Sequence, residues 1–258
     1  MPVFTIISDW HRNDYYAGAL KGYILSRCPD ARIIDISNTI EQFNIAQAAF
    51  ILRNSYNHYP KGTIHLICVK SETKQDRSNL VIQHDGHYFI GADNGIFGLL
   101  FKDKPEKIYR INENPENIAF PELSVFANTA CHIALKKEIL KIAENSGEYY
   151  EQIPFRPTIE ENVITGSVIY IDSYQNAITN VTRELFERVG GNKPFEIFVQ
   201  SHHYKISKIN KKYGDTSPGE LLAIFNSVEL LEIAINNGNA AELLNIGTGS
   251  AIRIKFKI

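Results

Sequence analysis

Cysteine is sparse and scattered: Cys28, Cys68 and Cys131 are the three among 258 residues, and no two form a C-x-x-C pair. An odd number so spaced predicts reduced, buried thiols in a cytoplasmic protein. An excess of either charge is also missing. Twenty-seven basic residues face 29 acidic ones, for a formal net charge of -2, which argues against a dedicated nucleic-acid or membrane-surface protein. No uninterrupted apolar run approaches membrane-spanning length. The opening residues, Met1 to Trp10, lack the basic start and long apolar stretch of a signal peptide. Internal repeats and low-complexity tracts are absent too. These absences together predict a soluble, cytoplasmic chain with neither nucleic acid nor membrane as partner. What remains, 44% hydrophobic and 22% charged residues, is ordinary globular composition, with enough length for a substantial core in one large domain or two smaller ones.

Strand and helix patterns alternate through the first half. Phe4 to Ile7 is a short apolar run of the kind that makes a buried strand, and helical spacing of Tyr16, Leu20, Tyr23 and Ile24 follows a polar loop. Ala31 to Ile36 reads as a strand, Ile40 to Tyr56 as a helix, and Thr63 to Val69 as a strand buried on both faces. Leu80 to Gln83 and His87 to Gly91 form a hairpin turned by Asp85-Gly86, and Ile96 to Phe101 is a further apolar segment. Val125 to Ala143 has the period of a long amphipathic helix. This alternation predicts an α/β domain over residues 1–150, doubly wound on a mostly parallel sheet. Residues 145–162 carry glycine, prolines and acids without a regular period and read as a connecting segment. Over 163–258, short β-prone runs separated by turn residues predict a smaller antiparallel β barrel or sandwich.

The loop at the end of the first strand, Ser8 to Asp14, stands where open α/β sheets place ligands. Asp9 there either accepts hydrogen bonds from a ribose diol or, with Asn13, simply caps the helix that follows. Asp9, His11 and Asp14 match no strong metal spacing, so no metal site is expected. His202-His203 lies in an expected strand, where neighbours point to opposite faces and cannot chelate together. Gly247-Thr248-Gly249 precedes a strand rather than a helix and reads as a turn, not a phosphate loop.

Four stretches, in order along the chain, resemble the S-adenosylmethionine-dependent adenosyltransferases that attack the cofactor at its ribose C5′, the family of hydroxide adenosyltransferases, chlorinases and fluorinases. Ser8-Asp9 through Asp14-Tyr15-Tyr16-Ala17-Gly18-Ala19-Leu20-Lys21-Gly22 is similar to the family's T-D-F-G…D-x-Y-V-G-x-x-K-G opening. Ala92-Asp93-Asn94-Gly95 is like its P-D-N-G, and Ile171-Asp172-Ser173-Tyr174-Gln175-Asn176-Ala177-Ile178-Thr179-Asn180 like its I-D-x-F-G-N-x-I-T-N. Asn226-Ser227 to Glu232-Ile233-Ala234, with Gly238-Asn239-Ala240-Ala241, matches N-S-x-x-x-L-E-I-A…G-N-A-A. The resemblance implies an α/β domain followed by a β barrel, in a homotrimer that binds the ligand between the first domain of one subunit and the second domain of its neighbour. S-adenosyl-L-methionine is then the substrate, with no prosthetic group. It further implies that Asp9 holds the ribose hydroxyls and that Asp172 meets the methionine ammonium. Tyr174 and Asn176 would stack on and hydrogen-bond the adenine, helped by the backbone of Ala234, and Ser227 would face the methionine end.

The chain departs from the family where the attacking water is prepared. The family's V-D-P-G-V-G-x-x-R stretch is here Val69-Lys70-Ser71-Glu72-Thr73-Lys74-Gln75-Asp76-Arg77, and its F-H-G-R-D stretch is Phe120-Pro121-Glu122-Leu123-Ser124. Arg77 falls at the arginine position, Lys70 replaces the aspartate and Pro121 the histidine. Lys70 and Arg77 are the candidate catalytic pair, acting on water or, less favourably, on a halide. Alternatively Lys70 points to solvent, with Glu72, Lys74 and Asp76 making an ordinary charged surface. Two functions stay open: a hydrolase releasing adenosine and L-methionine, or a trimeric sensor that binds S-adenosylmethionine or adenosine without turnover.

Overall fold

The computed structural model of the chain describes residues 1–11, 13–72, 77–112 and 119–257, with the backbone alone at 201–203. Lys74, Asp76 and the side chains of His202 and His203 therefore lie outside the described residues. The chain divides into two compact units, Met1–Pro154 and Phe155–Ile258. No described helix is long and apolar enough to cross a membrane.

The first unit is built on a seven-stranded sheet in the order β2-β1-β3-β5-β4-β6-β7. Its strands are β1 (Val3–Ser8), β2 (Arg32–Ser37), β3 (Ile64–Cys68), β4 (Asn79–His84), β5 (His87–Ala92), β6 (Lys107–Ile111) and β7 (Ala143–Asn145). β2, β1, β3 and β5 pair in parallel, whereas β5/β4, β4/β6 and β6/β7 are antiparallel. The sheet is thus mixed where a mostly parallel one was expected. The cause is local: Asp85 and Gly86 both take positive φ, the requirement of a two-residue primed turn, which folds β5 straight back along β4.

Helices cover both faces. Alternation along β1 and β3 sends Phe4, Ile6, Ile64, Leu66 and Cys68 to one face, against α1 (Tyr16–Arg27) and α4 (Ala127–Ala134). It sends Ile7, Ile67 and Val69 to the other, against α2 (Ile45–Arg53) and α3 (Ile96–Leu100). Every residue of β3 is buried, as a central strand between two helical layers must be. Two helices are shorter than their periodicity predicts. α2 starts at Ile45 because the Asn44 side chain accepts the Gln47 N–H at 3.0 Å and caps it. α4 stops at Ala134, and Lys136 then turns into the left-handed region, so the expected helix to Ala143 ends early, Ile139–Lys141 make a separate 3-10 turn and Ala143 opens β7.

The second unit is a nine-stranded sheet that curls into a barrel-like form. Its strands are β8 (Thr158–Glu160), β9 (Val163–Ile171), β10 (Ala177–Thr182), β11 (Phe195–Val199), β12 (Ser201–Ile206), β13 (Ile209–Asn210), β14 (Leu221–Phe225), β15 (Leu230–Ile235) and β16 (Ala251–Phe256). They run β12-β11-β16-β9-β10-β15-β14-β13, with β8 on β9, and β12 approaches β14. Only β13/β14 is parallel. Two short helices, α5 (Arg183–Gly190) and α6 (Ala240–Leu243), complete the unit. Its core fills the inward faces with Ile164, Val168, Val181, Ile197, Leu231 and Ile254.

Candidate functional site

In the first unit the carboxyl ends of β1 and β3 lie side by side, and Asp9 extends their pairing by donating its N–H to Cys68 O at 3.3 Å. Its carboxylate is anchored by main chain: Oδ2 accepts the N–H of Phe43 at 2.9 Å and of Lys70 at 3.3 Å. Both donors are non-glycine residues at positive φ, 64° and 49°. Such backbone is held only where its surroundings over-determine it, and one carboxylate oxygen satisfies both. Among the described residues no hydrogen bond reaches Oδ1, which leaves half the carboxylate available to a ligand. Asp9 does not cap α1, whose N-terminus has no side-chain cap.

The loop after β3 is clamped from the other side. Asn94 Nδ2 donates to Val69 O at 3.1 Å and to Lys70 O at 2.9 Å, while its Oδ1 accepts the Ile96 N–H. Asp93 Oδ1 accepts the Tyr150 N–H at 2.8 Å, and Gly95, at φ +101°, lies under the Gln152 side chain. The Asp93-Asn94-Gly95 motif is therefore a fastening for two chain segments. The Lys70 side chain is exposed. Arg77 lays its guanidinium 3.6 Å over the Tyr150 ring and lines a cavity of about 230 Å³ with Ser78, Asp93, Arg110 and Tyr149. Asp9 is not part of that lining, and no hydrogen bond among the described residues joins Lys70 to Arg77.

Two residues that sequence reasoning passed over stand beside Asp9. Glu122 is 6% exposed and Ser71 7%. Glu122 opens a wide turn, Glu122–Phe126, in which Ala127 N–H reaches back to Glu122 O; such i→i+5 turns recur at functional sites. Burial pushes the Glu122 carboxyl above its usual range, Ser71 and its own N–H oppose that in part, and the neighbouring Asp9 and Glu72 add smaller upward pushes. The Ser71 hydroxyl is near enough to favour the carboxylate, yet it makes no full hydrogen bond with any described residue. Trp10, Tyr16 and Phe120 pack together nearby, with ring centroids 5.3 to 5.8 Å apart. The one sequence signal was an isolated acid among Phe120, Pro121 and Leu123, a step beyond the missing histidine. Among the described residues no three His, Cys, Asp or Glu side chains gather as a metal site; the His11 N–H merely closes a turn onto Asp14 at 3.0 Å.

In the second unit Asp172, Tyr174 and Asn176 share the β9–β10 turn. Asp172 Oδ1 accepts the N–H groups of Tyr174 and Asn176 at 2.9 and 2.8 Å, and Oδ2 accepts Asn176 Nδ2 at 3.2 Å. Gln175 sits at φ 62° and its carbonyl accepts the Ala241 N–H, pinning the turn to α6. Asn176 is buried, while the Tyr174 ring is 76% exposed, unsupported by the core. Ser227 is exposed at the β14–β15 turn. Asn226 closes that turn and donates to Glu232, which also accepts the Tyr213 hydroxyl at 2.7 Å; burial and this contact raise the Tyr213 pKa. Ala234 is fully buried in β15, paired with Leu222.

Two family descriptions match the chain: the SAM hydroxide adenosyltransferase N-terminal domain over residues 4–143 and the corresponding C-terminal domain over 166–253. The (R)-S-adenosyl-L-methionine hydrolase of Methanocaldococcus jannaschii is 29% identical, the match covering 99% of this chain and 97% of the relative. The hydrolase of the same name from Thermus thermophilus is 26% identical, over 98% of this chain and 99% of the relative. Among solved structures, that of an uncharacterized conserved protein from Thermotoga maritima superposes with a TM-score of 0.86 at 26% identity, over 99% of this chain and all of the other.

Proposed function

Since the chain belongs to the SAM hydroxide adenosyltransferase family, matching both of its domains in order, we propose that it is an S-adenosyl-L-methionine hydrolase. The observation that carries this is the alignment of nearly the whole chain with two relatives named as (R)-S-adenosyl-L-methionine hydrolases. In the reaction a water oxygen bonds to ribose C5′, the C5′–sulfur bond breaks, and sulfur keeps the electron pair as the thioether of methionine. Adenosine, L-methionine and a proton leave. The sulfonium is already a good leaving group, so the protein's task is to hold water in line behind C5′ and exclude the bulk.

Asp9 would hold the ribose diol, a reading supported by its free Oδ1 and its fixed Oδ2. Asp172 would take the ammonium, Tyr174 the adenine face, Asn176 and the Ala234 backbone the adenine edge, and Ser227 the methionine end. The exposed Tyr174 ring suits stacking on a ligand contributed from elsewhere, which fits a homotrimer with its sites between subunits. Helices on both faces of the parallel strands support a doubly wound origin for the first unit, with an antiparallel extension. Neither a prosthetic group nor a metal enters the reaction, and a cytoplasmic setting suits the substrate. Arg77 and Lys70 would act on the nucleophile.

A second reading, binding without turnover, draws on one observation: the Lys70 side chain is exposed and Pro121 stands where a histidine is expected. Incubation with S-adenosylmethionine followed by chromatography separates the two. Release of adenosine and methionine in equal amounts, lost in Asp9→Ala together with calorimetric binding, supports the hydrolase. Binding without release overturns it.

A further inference from the structure

The family's water-preparing aspartate and histidine are replaced here, yet a buried carboxyl occupies the same neighbourhood. Glu122 reaches the carboxyl ends of β1 and β3 from the wide turn that leads into α4. It faces Asp9 from the end of β1, Ser71 and Glu72 from the loop after β3, Cys68 from β3 and Tyr16 from α1. The largest effects on it come from burial, Ser71, its own N–H, Asp9 and Glu72, none of them a cation. A carboxyl 94% removed from solvent normally has a cation or several donors. Glu122 has its own N–H and the nearby Ser71 hydroxyl, which is itself buried and without a hydrogen-bond partner among the described residues. A water molecule between them would satisfy Ser71 by accepting from its Oγ and would donate to the Glu122 carboxylate.

Resting on the hydrolase reading, we infer that Glu122 is the general base of the reaction and that Ser71 orients the water it deprotonates. As the water oxygen bonds to C5′ and the C5′–sulfur pair departs with sulfur, one water proton passes to Glu122 and later to solvent. Charge supports the assignment. Asp9, Glu72 and Glu122 make an acidic neighbourhood complementary to a sulfonium, whereas two cations such as Lys70 and Arg77 would repel it. In the empty site burial, and to a smaller extent Asp9 and Glu72, raise the Glu122 pKa and favour the protonated carboxyl. A bound sulfonium reverses that bias and ionises the carboxyl, so substrate itself readies the base.

The test compares wild type, Glu122→Gln, Glu122→Asp and Ser71→Ala. Glu122→Gln is expected to lower kcat by about 10² to 10⁴, with the Kd for S-adenosylmethionine within a few-fold of wild type. It should also lose the acid limb of kcat/KM that wild type is expected to show above the ordinary carboxylate range. Glu122→Asp should recover part of kcat, and Ser71→Ala should lower kcat less. Calorimetry in buffers of different ionisation enthalpy should show proton release on binding in wild type but not in Glu122→Gln. A purely structural Glu122 would instead lower the melting temperature of Glu122→Gln and leave the pH profile in place, which overturns the inference. So does a Glu122→Gln enzyme with wild-type kcat. If wild type itself releases no adenosine, the hydrolase reading fails and the base assignment goes with it; the two failures are thereby distinguished.

Discussion

Acid should destabilise the first unit through one histidine, by an amount the structure sets. His65 lies in β3 with no solvent exposure, its Nδ1 2.7 Å from Thr5 Oγ1 and its Nε2 3.2 Å from His87 Nδ1. Its ring stacks on Phe89, centroids 4.8 Å apart, and meets Tyr56 and Tyr59 edge-on. Burial first, and His87 second, drive its pKa from 6.5 down to about 3. The unfolded chain therefore takes up a proton near 6.5 that the folded chain refuses until about 3, so stability is fully present above the first value and drains away as pH falls toward the second. At about pH 5 the loss is about 2 kcal/mol, and its limit at lower pH is about 5 kcal/mol. His87, also lowered by burial, adds in the same direction, while Glu122, raised, opposes it. Urea unfolding at neutral pH and at about pH 5, in wild type and in His65→Gln, isolates the histidine, because the other groups titrate in both proteins. Wild type should lose about 2 kcal/mol more than the variant over that interval. Equal losses would refute the reasoning. His65 and Glu122 lie on opposite faces of β3's layer, so acid unfolding and the acid limb of activity are separable events.

Two further outcomes follow from the backbone. Lys70→Gly removes a side chain at φ 49° while keeping the N–H that Asp9 accepts. Stability measured by urea unfolding should rise by up to about 1 kcal/mol or stay level. Adenosine release that survives Lys70→Gly would exclude the lysine amine as a base, and its loss would restore it. Gly98→Ala should destabilise by about 1–3 kcal/mol, because a Cβ there would stand 2.7 Å from the Gln152 backbone nitrogen; an unchanged melting temperature would show that the 149–152 segment can move aside.

The parts of the fold that were legible are those set by neighbours in sequence. The apolar run of β3 announces burial on both faces, and Asp85-Gly86 announces its hairpin. Helix lengths were less legible. Asn44 and Lys136 end helical patterns by backbone geometry and capping, which apolar spacing does not record. β10 was recognised only as a motif, and α5, capped by Thr182 onto the Leu185 N–H at 3.1 Å, was passed over although Leu185, Phe186 and Val189 give it an apolar face. Of the site, Asp9 stands out because a strand end is a local event. Asp172 and Asn176 prove to hold their own turn, which a ligand role does not exclude. Glu122 and Ser71 are 51 positions apart and meaningful only together, and nothing in either stretch signals that they will meet.

At Lys70 the chain after β3 is fastened through peptide groups: Asp9 takes the Lys70 N–H, and Asn94 takes the carbonyls of Val69 and Lys70. Attachments of that kind are indifferent to what each residue carries. The exposed side chain at position 70 can be exchanged by mutation without rerouting the backbone there, so a lineage can discard one reactive group and recruit another on an unchanged mount. Selection acting on chemistry at this place is thereby decoupled from selection acting on shape.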